Sequence, residues 1–261
     1  MAELDHDTYC SHIVDETDRL REALRGADLS TTVPTCPEWD LRELATHLSG
    51  AHRLAEEVVR TRALEYDIKE AIARREQAPE DPAELDRWLG EGAEALAKAL
   101  RAAGPDVEVW SWSPVQRTSF YARRMALETL IHRADAFLTV GRPYQADGEL
   151  AADAVDELLQ LLTWPQALAF RPKLAELRGA GETIHLHATD TPAELAAEWL
   201  IERQPDGVAW RREHGKGDVA LRGPLTEVLL AFYRRLPLDD ERLEVLGDQA
   251  LLEHWLQLTA L

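Results

Sequence analysis

The sequence predicts an α+β chain of two domains, an N-terminal four-helix bundle and a smaller C-terminal α+β domain built on an antiparallel sheet. Three observations carry that prediction. Before residue 165, long stretches repeat their apolar positions at helical spacing, with charges on the opposite faces. After Pro165 the texture changes, and short segments alternate apolar with polar residues as half-buried strands do. No internal repeat recurs, and the expected domains are residues 1–165 and 168–261.

Residues 4–24 open the bundle, with Tyr9, Ile13, Leu20 and Leu24 at apolar positions and Gly26 as the stop. The loop DLSTTVPTCPEWD follows, its Pro34 and Pro37 fixing an extended approach. Asp40 begins the next helix, with Glu43 as its capping-box partner. Over residues 41–62 that helix carries Leu44, His47, Leu48, Ala51, Ala55 and Val58 on one face. A third helix, over 63–77, has a weak apolar face. After Pro79 and Pro82, residues 83–103 form a fourth through Leu85, Leu89, Leu96 and Leu100, ended by Gly104-Pro105.

The tryptophan-rich DVEVWSWSP leads into the central helix, residues 118–141. Its apolar stripe is Leu127, Leu130, Ile131, Ala134 and Leu138; beside it runs a polar stripe of Tyr121, Arg124, Glu128, His132 and Asp135. A further helix spans 147–163. In the second domain GETIHLHAT, AEWLIERQ, GVAWRREHG and GDVALRG are strand candidates, separated by Pro-Asp-Gly and Gly-Lys-Gly turns. Residues 224–236 and 249–258 read as helices.

Composition narrows the function. The 261 residues are 45% hydrophobic and 30% charged, a globular balance with room for a substantial core. With 48 acidic against 29 basic residues the net charge is −19, and the chain lacks the basic footprint that nucleic acid or an anionic membrane requires. No apolar run reaches a membrane-spanning length, and the polar start shows no signal peptide. A cytoplasmic location is therefore expected, with Cys10 and Cys36 reduced.

Glu128 and His132 are four residues apart, so both project from one helix face and can grip one ion. Imidazole plus carboxylate suits zinc or a similar divalent metal, and His47 is the candidate third ligand from a facing helix. The alternative is a core-edge histidine opposite a solvated Glu–His stripe. His52, five residues on, points away from His47 as a decoy or a supporting group. Cys36 lies ahead of a capped helix, where a dipole can lower a thiol pKa, although a buried structural cysteine explains it as well. Trp39 reads as a staple of the loop to the bundle more than as a surface on which a ligand stacks, and the WSW of residues 110–112 either lines a pocket or plugs a bundle end. His185 and His187 share a strand face as a possible metal pair or as ordinary half-exposed histidines. HGKGD reads as a hairpin turn and lacks the spacing of a phosphate loop. Neither G-x-S-x-G nor H-E-x-x-H occurs, so serine-hydrolase and zincin chemistry have no support.

Three stretches, VPTCPEWDLRELATHLSGAH (33–52), RRMALETLIHRADA (123–136) and VALRGPLTEVLLAFYRR (219–235), together resemble the mycothiol-dependent maleylpyruvate isomerase family. They span both expected domains in the family's order. The resemblance implies a DinB-like helical bundle and a small C-terminal domain resembling sterol-carrier-protein folds. It also implies a divalent metal, zinc or similar, on His47, Glu128 and His132, with mycothiol as thiol cosubstrate and a small electrophile as substrate. One departure stands out: the family often has His just before the glutamate, where this chain has Leu127. On a helix Leu127 points about 100° away from Glu128, so the change bears on the pocket more than on the ligands.

The expected activity is thiolate addition to an electrophilic carbon, giving isomerisation if the thiol is expelled and an S-conjugate if it stays. Arg222 is a candidate clamp for a carboxylate, or a surface arginine closing a hairpin. Asp135 is a candidate to orient a ligand, or a surface partner of Arg124 or Arg133. The rival readings are a hydrolase using metal-bound water and a binding or sensor protein with a structural metal. A monomer and a homodimer are equally compatible with the sequence.

Overall fold

The computed structural model describes residues 4–73 and 78–259. They divide into two compact units, Leu4–Tyr144 and a second beginning at Gln145.

The first unit holds α1 (His6–Leu24), α2 (Leu41–Thr61), the short α3 (Ile68–Ala73), α4 (Pro82–Ala103) and α5 (Thr118–Thr139). Helices α1, α2, α4 and α5 form the bundle; α1 and α2 each pack on both α4 and α5. Local chemistry fixes their ends. Asp5 accepts from the amides of Asp7 and Thr8 to start α1. Asp40 and Glu43 make the expected capping box at the head of α2. The helix expected over 63–77 begins only at Ile68, and residues 74–77 lie outside the described residues.

Helix α5 is buried on nearly every side. Its polar stripe is therefore not a wet face: Tyr121, Arg124 and Asp135 are all buried. Arg133, on another side of α5, bonds the buried Glu16 of α1, and its guanidinium lies 5.2 Å from the Phe137 ring and 4.3 Å from that of Tyr144. Polar groups with no water must find partners inside, and α5 supplies them along its length.

The second unit comprises α6 (Gly148–Thr163), α7 (Pro165–Phe170), β1 (Thr183–Ala188), β2 (Glu198–Gln204), β3 (Gly207–Arg212), β4 (Val219–Gly223), α8 (Leu225–Phe232), β5 (Glu244–Gly247) and α9 (Gln249–Thr259). Helix α6, read from sequence as the last of the bundle, packs on α8 and falls within this unit. The sheet order is β3-β2-β1-β4-β5, antiparallel except where β1 and β4 run parallel. That parallel pair corrects the reading of HGKGD as a hairpin turn. β3 and β4 are not neighbours, so residues 213–218 cross from one side of the sheet to the other. β5 is too short and too exposed to show in the sequence pattern. Helix α8 stops at Phe232 because the chain turns left-handed at Arg234, φ 62°.

The inner face of the sheet buries Ile184 and Leu186 of β1 and Val219 and Leu221 of β4, and α8 adds Val228 and Leu229. Asp156 of α6 accepts from Trp199 Nε1 at 2.7 Å and pairs with Arg212 at 2.8 Å, tying the helix to β2 and β3. Among the described residues no helix is long and apolar enough to cross a membrane.

Candidate metal centre

The capping box sets where α2 begins, and two turns later its inner face presents His47. Helix α5 faces it with Glu128 and His132 on adjacent turns. The three side chains converge: His47 Nε2 lies 3.0 Å from Glu128 Oε1, and the His47 and His132 rings are 5.0 Å apart at 80°. One ligand atom from each lies within 4.8 Å of the other two. The spacing pair and its distant partner, 81 residues apart in the chain, thus share one site.

The groups behind these three decide which atoms they offer. His132 Nδ1 bonds Asp135 Oδ2 at 2.9 Å, and Asp135 is fully buried. A carboxylate on Nδ1 fixes that nitrogen as the protonated one and leaves the Nε2 lone pair for a metal. Asp135 is itself held by the Thr35 hydroxyl at 2.5 Å, with Cys36 Sγ 3.9 Å from its other oxygen. Asp135 is fully buried against the His132 ring, so it is not the surface residue of the alternative reading.

Glu128 is supported from its other side by Arg124, whose Nε is 3.3 Å from Oε2. Burial opposes its ionisation. The hydrogen bond from His47, the Arg124 charge and the nearby imidazoles outweigh that and hold the Glu128 carboxyl well below its ordinary range. It is a carboxylate at any physiological pH. Two neutral-capable imidazoles and a permanent carboxylate are a donor set that fits zinc, with three protein ligands rather than four.

His52 is not part of the cluster. It is fully buried, with Nε2 2.9 Å from the Thr129 hydroxyl, and burial pushes its pKa down from 6.5 to about 4. The Thr129 hydroxyl donates to the Met125 carbonyl, so it accepts from His52 Nε2. Leu127 is completely buried, so the residue that departs from the family pattern packs in the core.

Trp39 does more than staple its loop. Its ring centroid lies 4.6 Å from that of His47 and 6.0 Å from that of His132, forming one wall of the cluster. Sequence reasoning missed this wall and missed Thr35. The signal was available in T-C-P-E-W, where polar and aromatic residues stand between prolines just ahead of a ligand-bearing helix. A tight turn does the placing, with the Val33 amide donating to the Trp39 carbonyl at 2.9 Å. Among the described residues Cys10 is buried, Cys36 is partly exposed, and no disulfide joins them.

Arg222 lies on β4, in the second unit, where it pairs with Glu244 of β5 at 2.7 Å; both are substantially exposed. A separate cleft of about 390 Å³ beside α1 and α4 is lined by Leu24, Leu29, Leu85 and Leu89 with Arg21 and Asp86. Among the described residues its lining has no histidine, cysteine or serine.

Comparison with known proteins bears on this arrangement. Residues 10–137 match the model of the mycothiol maleylpyruvate isomerase N-terminal domain, and residues 149–254 that family's C-terminal domain model. The fold is shared with the crystal structure of a mycothiol-dependent maleylpyruvate isomerase, at 15% identity and a TM-score of 0.57 over 94% of this chain and 95% of that one. A histidine-to-alanine mutant of such an isomerase gives 14% identity and the same TM-score and coverage. Among curated proteins, none matches the chain.

Proposed function

The chain belongs to the mycothiol maleylpyruvate isomerase family through both of its domains, a family of enzymes, and from that premise we propose a metal-dependent enzyme that uses a low-molecular-weight thiol on a small electrophile. His47, Glu128 and His132 would hold the ion, zinc by donor chemistry, and mycothiol would be the thiol. The observation that carries the reading is the convergence of these three donors with His132 Nδ1 already committed to buried Asp135.

A divalent ion bound there supplies Lewis acidity that lets a thiol lose its proton near neutral pH. The chain's own residues do the rest. Asp135 holds the His132 ring in one tautomer and one orientation, and Thr35 holds Asp135. The His47 hydrogen bond and the Arg124 charge keep Glu128 a carboxylate, so it offers one negative charge to an ion. The Trp39 ring covers one side of both histidines and restricts water there.

On the substrate, the thiolate sulfur forms a bond to an alkene carbon conjugated with a carbonyl, and the alkene electron pair moves to that carbonyl. Rotation about the resulting single bond and expulsion of the thiolate give cis–trans isomerisation; protonation without expulsion gives a thioether. Arg222 is the proposed clamp for a carboxylate of thiol or substrate. Its exposed pair with Glu244 is worth about 0–1 kcal/mol, so exchanging Glu244 for a ligand carboxylate costs little.

The test uses protein purified without a histidine tag, stripped with a chelator and reloaded with zinc. Maleylpyruvate turnover should require both the metal and mycothiol, and glutathione should not substitute. Undiminished turnover by the stripped protein would refute the metal, and turnover without thiol would refute the cosubstrate.

A further inference from the structure

The second unit carries its own cluster of donors, on the sheet face opposite the apolar core. The alternation of β1 puts His185 and His187 on one face while Ile184, Leu186 and Ala188 take the other. In the antiparallel register Glu198 of β2 stands directly across from His187. The fourth member arrives by the crossover. After Arg212 the chain leaves β3 and lies across the outer face of β2 and β1, setting His214 above Glu198.

Two glycines make that close passage possible. A Cβ on Gly215 would meet the Leu200 side chain at 3.2 Å, and one on Gly217 would meet the His185 backbone nitrogen at 2.9 Å. Both ends of the strap are pinned. Glu213 donates to the Glu198 carbonyl, and Asp218 takes bonds from the Thr183 amide and hydroxyl at 2.7 and 2.8 Å. His214 is thus delivered by a fixed path.

Three imidazole nitrogens meet one carboxylate oxygen. Glu198 Oε2 lies 2.7 Å from His214 Nδ1, 2.9 Å from His187 Nδ1 and 3.1 Å from His185 Nε2. The three rings form a near-equilateral triangle, with centroids 5.6, 5.8 and 5.9 Å apart and planes 89°, 85° and 74° to one another. Hydrogen bonding alone does not account for this. An oxygen with two lone pairs cannot serve three donors well, and the buried His185 Nε2, though close, makes no hydrogen bond. A buried nitrogen left in that state costs free energy unless something else takes its lone pair.

We propose that His185, His187, Glu198 and His214 form a second metal site, a tetrahedral zinc clasp that fastens the 213–218 crossover to the sheet. The ligand atoms lie within 4.8 Å of one another, a set that small side-chain shifts bring to the edges of a zinc tetrahedron. Four protein donors fill the coordination sphere, as in structural sites, whereas the bundle cluster offers three. The proposal stands independently of the bundle cluster's function.

The experiment uses the full chain carrying His47→Ala, without a histidine tag, so that zinc uptake reports on the sheet unit. After chelator treatment, zinc is titrated against a chromophoric competitor, and cobalt absorption reports the geometry. One equivalent should bind, with the intense visible bands of tetrahedral cobalt. Adding His187→Ala with His214→Ala should weaken binding by about a hundredfold or more, and the exposed His214→Ala alone by about tenfold or more. Far-UV circular dichroism checks that each variant stays folded. No uptake by the His47→Ala protein would overturn the proposal, as would uptake that both cluster variants leave unchanged or cobalt spectra of octahedral type.

Discussion

The bundle and the sheet each gather histidines about a carboxylate, but they do so by opposite means. In the bundle three donors come from two helices far apart in sequence and are braced from behind by buried Asp135 and Arg124. In the sheet four donors come from one short stretch of chain. They stand on a half-open face, with His214 78% exposed, and among the described residues they pair with no carboxylate but Glu198. With an ion bound, the first arrangement would leave a coordination position open, as a reactive site requires. The second would fill all four positions of a tetrahedral ion with protein atoms, as a staple does. Donor identity alone does not separate a reactive site from a structural one; the number of donors and what stands behind them do.

The largest effect expected from this contrast is on turnover. His132→Ala should lower thiol-dependent turnover by about a thousandfold or more, several kcal/mol of lost transition-state stabilisation, with helical content intact by circular dichroism. Retained turnover would place the chemistry elsewhere.

A second effect is on stability against pH and belongs to the bundle alone. Burial lowers the His52 pKa from 6.5 to about 4 in the folded protein. As pH falls, the unfolded chain takes up that proton first, so stability present above about pH 6.5 is lost progressively down to about pH 4. The loss amounts to about 3 kcal/mol for this fully buried group. Urea denaturation of the metal-free protein should show that slope, and His52→Gln should flatten it.

Of similar size is the effect of zinc on the sheet unit. In the His47→Ala protein, free zinc at about a hundred times its dissociation constant should stabilise the fold by about 2.7 kcal/mol, read as a rise in unfolding temperature. That increment should disappear with His187→Ala and His214→Ala together.

The smallest effect sharpens the bracing argument. Asp135→Asn keeps the shape behind His132 but removes the charge that fixes its tautomer, and should weaken zinc at the bundle cluster by about tenfold to a hundredfold. Competition titration reads it directly. An unchanged affinity would make Asp135 a packing residue.

Much of this was legible in the sequence. The capping box Asp40–Glu43 and the i, i+4 pair Glu128–His132 are local rules, and local rules survive folding. His47 was legible as an inward histidine on an adjacent helix. The wall and support made by Trp39 and Thr35 were not, because they depend on how one proline-rich turn folds back. The strands of the second unit announced themselves by alternation, except the exposed β5. The crossover was misread because Gly-Lys-Gly has the chemistry of a tight turn, and turn chemistry does not say which strands become neighbours. That same misreading hid the sheet cluster. His185 and His187 look ordinary until Glu198 is set opposite by register and His214 is carried over the sheet.

The central claim is that His47, Glu128 and His132 hold one ion. Anomalous diffraction at the zinc edge from crystals of the zinc-loaded, untagged protein measures it directly. A peak is expected about 2.0–2.2 Å from an imidazole nitrogen of each histidine and a carboxylate oxygen of Glu128. A catalytically active crystal with no peak among these three side chains would contradict it.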